Sequence, residues 1–135
     1  MASENRVRAI DVVPEPRRAW VKEDAGFRKL FEILDLAGPS KAMSLQTAAE
    51  LAMRSHGTFK RDFPAVAGRP WGAFHREWRL CEAQRLLGSP LVAPQQARND
   101  VGLRSSGKFS AAFRRRFGVT PREMRQKREG TERAE

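Results

Sequence analysis

The stretch Leu51–Gly68, LAMRSHGTFKRDFPAVAG, is written again fifty residues later as Val101–Gly118, VGLRSSGKFSAAFRRRFG. Without gaps, Arg54/Arg104, Ser55/Ser105, Gly57/Gly107, Phe59/Phe109, Phe63/Phe113 and Gly68/Gly118 are identical. A repeat of this period marks one supersecondary unit used twice. Each copy reads as an apolar helix end, a tight turn, a serine able to cap, and a second helix with two Phe residues four apart on one face. That is a helix-turn-helix outline, and it is duplicated.

Working outward from the repeat, cap and stop signals divide the rest of the chain into helices. Asp24 caps a helix whose apolar positions Phe27, Leu30, Phe31 and Leu34 follow the i, i+3, i+4, i+7 rule, ending before Gly38-Pro39. Ser44 caps a short helix through Ala52, and Ser55 caps the next, which Pro64 should kink or stop near Phe63. A helix from Trp71 to Leu87 places Trp71, Phe74, Trp78 and Cys81 on one face and Leu80, Ala83 and Leu87 on another. Such a helix, about 25 Å long at 1.5 Å per residue, suits a connector holding two modules apart. Pro94 opens a fifth helix ending before Gly102, Ser105 a sixth through Phe117, and Thr120-Pro121-Arg122-Glu123 reads as the capping box of a seventh. Period-two alternation is confined to a weak candidate over Val7–Val13. The expected fold is all-α with seven helices: a flexible leader over 1–23, a first module over 24–69, a connecting helix over 70–88, a second module over 89–127 and a disordered tail over 128–135.

At 135 residues the chain has room for one compact domain or two very small ones. The formal charge is +10, and it is unevenly placed. Residues 1–43 hold eight basic against seven acidic residues, and 44–103 hold eight against five. Residues 104–128 hold nine against one, and the last seven hold one against three. A surplus concentrated on the second copy and its flank points to a polyanionic partner. The sequence has no apolar run long enough to span a bilayer and no signal-peptide core at its start, so no membrane partner is expected. One cysteine, Cys81, fits a reducing cytoplasm.

A recognition helix buries one face and aims the other at the major groove. On the third helix that geometry turns Gly57, Lys60 and Arg61 outward. On the sixth it buries Phe109, Ala112 and Phe113 and turns Gly107, Ser110, Ala111 and Arg114 outward. Lys and Arg are the commonest readers of guanine, which assigns base contact to Lys60 and Arg61. Arg114, Arg115 and Arg116 point around most of a helical turn and cannot all reach bases from one groove. Phosphate anchoring is the expected role of these three, with Ser55, Arg104, Ser105 and Lys108 as further phosphate contacts.

Catalytic and cofactor chemistry finds no support. His56, His75 and Cys81 make no zinc pattern, Cys81 reads as core packing, and neither a Gly-rich phosphate loop nor a nucleophile elbow is present. No enzyme activity, cofactor or metal is therefore expected.

The run VGLRSSGKFSAAFRRRFGVTPREMR resembles the second helix-turn-helix of AraC/XylS-type transcription regulators: a Ser-rich turn, F-x-x-x-F, basic residues, then F-G-x-x-P and a last helix. Upstream, SLQTAAELAMRSHGTFKRDF and FHREWRLCEAQRLL resemble the first module and its connecting helix, with Arg79, Leu80, Ala83, Leu86 and Leu87 in the R-L-x-x-A-x-x-L-L pattern. The resemblance covers residues 24–127. It implies a cytoplasmic, nucleoid-associated activator that places two recognition helices in successive major grooves of double-stranded DNA and works as a monomer recruiting RNA polymerase. Carried over by position, the base readers fall on Gly57, Lys60 and Arg61 in the first module and on Gly107, Ser110 and Ala111 in the second. The last three are short, so specificity is expected mainly from the first module. An alternative from the same residues is a protein-interaction module, or a nonspecific DNA-binding protein with a degenerate surface.

Overall fold

The structure is a computed structural model that describes residues 6–103 and 105–134, with side chains through Glu129. Among the described residues every regular element is helical. A short 3-10 helix, Ala9–Val12, precedes eight α-helices: α1 (Glu15–Glu23), α2 (Ala25–Ala37), α3 (Leu45–Leu51), α4 (His56–Ala67), α5 (Trp71–Leu86), α6 (Pro94–Asp100), α7 (Ser106–Phe117) and α8 (Pro121–Ala134). The chain separates into two compact units, one reaching Trp78 and the other starting at Arg79.

Local chemistry sets the helix ends. The Asp24 carboxylate accepts the Phe27 N–H at 3.0 Å, Ser44 Oγ accepts that of Thr47 at 3.1 Å, and Ser55 Oγ that of Thr58 at 3.2 Å. Each satisfies an amide that the first helical turn leaves without an intrahelical partner. Thr120 and Glu123 close the expected capping box: the Glu123 N–H donates to Thr120 Oγ1 at 3.1 Å and the Thr120 N–H to Glu123 Oε2 at 3.4 Å. Gly68 and Gly118 end α4 and α7 in the left-handed region, at φ 93° and 83°.

The first unit is built on aromatic rings. Phe63 is its hub, with ring centroids 5.2 Å from Phe59, 5.3 Å from both Trp71 and Phe74, and 6.0 Å from Phe27. Around these lie Leu30, Phe31, Leu34, Ala48, Ala49 and Ala52. Helix α2 approaches the end of α3 so closely that a Cβ on Gly26 would overlap the Ala52 carbonyl. The second unit is more aliphatic: Leu80, Ala83, Leu87, Ala97 and Val101 surround Phe109 and Phe113. Helix α5 contributes Trp71, Phe74 and Trp78 to the first core and Leu80 and Ala83 to the second. Cys81 is half-buried and belongs to neither core.

Four expectations are corrected. Among the described residues the α-helices number eight rather than seven, because residues expected as a loose leader form the 3-10 helix and α1. Ala9, Val12, Val13 and Val21 are buried in the first core. Long-range bonds hold the segment there: Trp78 Nε1 donates to Val7 O at 2.7 Å, the Ala9 N–H to the Asp35 carboxylate at 2.8 Å, and Arg17 Nη1 to Ala65 O at 2.6 Å. Burial pushes the Asp35 carboxyl up from its usual range. Second, Val7–Val13 is not a strand, because Ala9–Val12 forms a 3-10 turn, with buried Ala9 and Val12 on one side of it. Third, Pro64 does not stop α4, which runs on to Ala67. Proline forfeits only the hydrogen bond to the Lys60 carbonyl, while buried Phe63 and Ala67 and the Gly68 N–H to Pro64 O bond of 2.9 Å hold the final turn. Fourth, α8 continues to Ala134 where a disordered tail is expected from 128.

Candidate nucleic-acid interface

The turns between the paired helices are not equivalent. In the first copy Ala52 N bonds Ala48 O, Met53 N bonds Glu50 O and Arg54 N bonds Ala49 O. In the second, Val101 N bonds Ala97 O, Gly102 N bonds Asn99 O and Leu103 N bonds Arg98 O. These bonds match at a spacing of forty-nine residues, whereas the serine caps and Phe pairs match at fifty. The second turn therefore holds one extra residue, and Leu103, not Arg104, stands where Arg54 does. Arg104 itself lies outside the described residues.

The left-handed position of the turn is Met53 in the first copy, at φ 58°, and Gly102 in the second, at φ 80°. A side chain at such a φ crowds the following carbonyl, a cost glycine escapes. Met53 is 65% exposed, so its side chain contributes little packing in return. Met53→Gly is expected to raise stability by about 0.5–1 kcal/mol and the thermal midpoint with it; a lowered midpoint would show that Met53 packs more than its exposure indicates.

Arg54 is committed to structure. Its guanidinium bonds both oxygens of Asp24, reaches Asp62 Oδ2 at 3.2 Å and Ala52 O at 3.3 Å, and lies 4.0 Å from the centre of the Phe27 ring. One side chain thus joins the cap of α2, the turn and the second helix of the motif. The hydrogen bonds from Arg54 hold the Asp24 carboxyl below its ordinary range in spite of partial burial, which opposes them.

On α4, Phe59, Phe63 and Ala67 are buried and Gly57, Lys60 and Arg61 are exposed, as their spacing demands. Arg61 Nε donates to Asp62 Oδ1 at 3.3 Å with its side chain 77% exposed. Ser55 Oγ accepts from the Thr58 amide and also donates to Thr58 Oγ1 at 2.8 Å, so its hydroxyl is engaged on both sides as a cap.

On α7, Phe109 and Phe113 are buried, Gly107 and Ala111 exposed, and Ser110 and Ala112 half-buried. Ser105 Oγ caps the helix by accepting the Lys108 N–H at 3.3 Å. Arg114, Arg115 and Arg116 are all exposed. At 100° per residue Arg114 continues the stripe of Gly107 and Ala111, whereas Arg116 falls on the far side, its guanidinium 4.7 Å from the centre of the Phe117 ring. The starts of α6, α7 and α8 enclose a concavity of about 640 Å³ bordered by Arg98, Gly107, Ser110 and Arg122.

Arg125 is a second arginine committed to structure. It donates to the carbonyls of Leu87 at 3.2 Å, Ser89 at 2.9 Å and Val92, tying α8 to the loop before α6. The basic surplus over 104–128 thus includes a charge used inside the fold. Nothing in the charge pattern distinguishes Arg125 from its neighbours; the carbonyl cluster it serves forms only on folding. Among the described residues no helix is long and apolar enough to cross a membrane, and no three or more His, Cys, Asp or Glu side chains gather as a metal site.

Comparisons with known proteins agree with this geometry. A family model described as a helix-turn-helix domain matches residues 47–127. The chain is 31% identical over 90 residues to the HTH-type transcriptional regulator AlkR of Acinetobacter baylyi, a match covering 67% of this chain and 29% of that protein. It therefore spans less than a third of that relative's length. It is also similar to the crystal structure of a transcriptional regulator from Chromobacterium violaceum described by its AraC-type DNA-binding domain. The TM-score is 0.67 at 25% identity, over 76% of this chain and 91% of that one.

Proposed function

This chain belongs to the AraC/XylS-type family of helix-turn-helix transcription regulators, and from that premise we propose that it recognises a specific double-stranded DNA site and activates transcription from it. In this reading α4 and α7 enter successive major grooves and α5 connects the two modules. The chain acts as a monomer at the nucleoid and recruits RNA polymerase. The observation that carries the proposal is the pair of serine-capped helices, each with its Phe pair buried and its opposite stripe exposed.

Within it the copies divide the work. Lys60 and Arg61 read base edges, with Gly57 admitting close approach, because long donors on the outward stripe can reach guanine O6 and N7. Gly107, Ser110 and Ala111 are too short to supply much direct readout. The second module chiefly grips phosphates through Lys108, Arg114, Arg115 and Arg116, with Arg104 and Ser105 as further contacts, and Ser55 adds one from the first module.

Selection from a random duplex pool at physiological salt tests the reading. Enrichment of one site of roughly 15–20 base pairs, the span of two neighbouring major grooves, supports it. Salt-sensitive binding without enrichment would instead leave a nonspecific DNA-binding protein, and no binding a protein-interaction module. Lys60→Ala or Arg61→Ala should cost about 1–3 kcal/mol on the selected site and relax its sequence. Arg114→Ala or Arg115→Ala should weaken binding to all duplexes alike and flatten the salt dependence by about one unit each. Altered base preference in the Arg114 or Arg115 variants would reverse the assigned roles.

A further inference from the structure

Residues 6–23 lie ahead of the family match, which begins at residue 47, yet they are fastened to the helix assigned to base reading. The fastening sits at the end of α4. Arg17 Nη1 donates to Ala65 O at 2.6 Å, one of the last carbonyls of α4, which an α-helix leaves without an intrahelical donor. A cation there also suits the negative end of the helix dipole. Gly68, which ends α4, is so near that a Cβ on it would lie 3.3 Å from Arg17 Cδ and 3.4 Å from Pro14 Cγ and Cδ. Trp20 steadies the guanidinium in turn, its ring centre 5.3 Å away. Val13 and Val21, buried in the first core on either side of Arg17, and the bond from Trp78 Nε1 to Val7 O fix the segment that carries it.

The same end of α4 is its weakest part. Pro64 lies inside the helix and has no N–H, so the Lys60 carbonyl lacks its intrahelical donor, and a helix bends most readily at such a point. The gap falls in the turn from Lys60 to Pro64, which carries Lys60 and Arg61 themselves. Ala65 follows Arg61 by four residues, on the same stripe.

We propose that Arg17 is a positioning residue for base recognition: by clasping the Ala65 carbonyl it holds α4 in line across Pro64 and so fixes the direction in which Lys60 and Arg61 leave the helix. The inference rests on the DNA-binding reading above and adds to it a residue that acts without touching DNA. Paired donors on guanine need aligned geometry, so slack in this turn lowers discrimination between sequences. Phosphate contacts, and with them the salt dependence, stay as they were.

The test uses the full-length chain at a temperature well below every thermal midpoint. Affinity is measured for the selected site and for unrelated duplexes across a salt series, and amide exchange for Gly68, whose N–H bonds Pro64 O. Arg17→Leu keeps an apolar stem against Gly68 and removes the donor. It should quicken Gly68 exchange and lower the preference for the selected site by about fivefold, the worth of one ordinary hydrogen bond, with the salt slope unchanged. Arg17→Lys, which retains a donor, should recover most of that preference. Pro64→Ala returns a donor to Lys60 O, and in that background Arg17→Leu should change the preference by less than about twofold, because the two substitutions act on one turn. Equal weakening on every duplex overturns the proposal: with an unchanged salt slope the loss is merely structural, and with a flatter one Arg17 itself grips phosphate. Unchanged Gly68 exchange, unchanged preference or a full-size loss in the Pro64→Ala background overturns it as well. If the unsubstituted chain selects no site, the DNA-binding reading fails before any substitution is compared, and the positioning role falls with it.

Discussion

Phe63→Ala lowers the unfolding free energy of the first unit by about 3–5 kcal/mol, the range for emptying a large aromatic site in a packed core. The upper part of that range is expected. The ring is 1% exposed and meets five other aromatic rings, those of Phe27, Phe31, Phe59, Trp71 and Phe74. Those rings come from α2, α4 and α5, so no single helix can shift to close the void. Phe113, its counterpart in the repeat, meets only Phe109 at 5.8 Å and Phe117 at 4.6 Å among aromatics. The rest of its cluster is mostly aliphatic, and Phe113→Ala should fall nearer about 3 kcal/mol. All three tryptophans precede Arg79, so their fluorescence in urea reports the first unit. A Phe63→Ala loss below about 1 kcal/mol would mean that the aromatic cluster repacks around the gap.

Much of this architecture is legible in the sequence because its signals are local. A serine, threonine or aspartate three residues before an amide that needs an acceptor is visible at Asp24, Ser44, Ser55 and Thr120, and all four act as caps. The Phe pairs are visible for the same reason, since a spacing of four fixes a shared helix face. Helix α1 is not, because Pro14, Pro16 and its charges hide an anchor that is non-local: it buries only Val21 from its own length. What holds it is made elsewhere in the chain: Arg17 reaches Ala65 O, and the segment leading into α1 is tied down where Asp35 accepts from Ala9 and Trp78 donates to Val7. The site shows the same boundary. Outward placement of Gly57, Lys60, Arg61, Gly107 and Ala111 follows from helical period alone. Identical letters at Arg54 and Arg104 suggest equivalence that the backbone hydrogen bonds deny, since a gap-free alignment cannot register one added turn residue. Arg54 and Arg125 are indistinguishable as letters from the arginines exposed along α7, and only the carboxylates and carbonyls around them mark them as internal braces.

Arg54→Ala is the second large effect, and its size depends on pH. Removing the guanidinium takes from Asp24 and Asp62 their shared partner, leaving the Phe27 N–H on Asp24 and Arg61 on Asp62, strips the Ala52 carbonyl of a donor and uncovers the Phe27 ring. Breaking a fully buried pair costs about 3–5 kcal/mol. Here the arginine is 19% exposed and the two aspartates 29% and 31%, so water recovers part of the loss and about 2–3 kcal/mol is expected at neutral pH. Lysine keeps the charge but lacks the planar fork that spans two carboxylates, so Arg54→Lys should restore less than half of that. The Asp24 carboxyl is held below its ordinary 3.8 in the folded chain, first by its hydrogen bonds to Arg54. A depressed folded value contributes stability that is present above the unfolded value and is lost as pH falls through the folded one. The difference between the original chain and Arg54→Ala should therefore be full above about pH 5 and shrink steadily below pH 4. Asp35 works the other way, because burial raises its carboxyl. Its contribution weakens as pH rises, but both proteins share it and it cancels in the difference. Urea midpoints collected from pH 3 to pH 7 decide the matter: a difference that stays constant across the range would mean that Arg54 stabilises through its stack on Phe27 and the Ala52 carbonyl, with no share from Asp24.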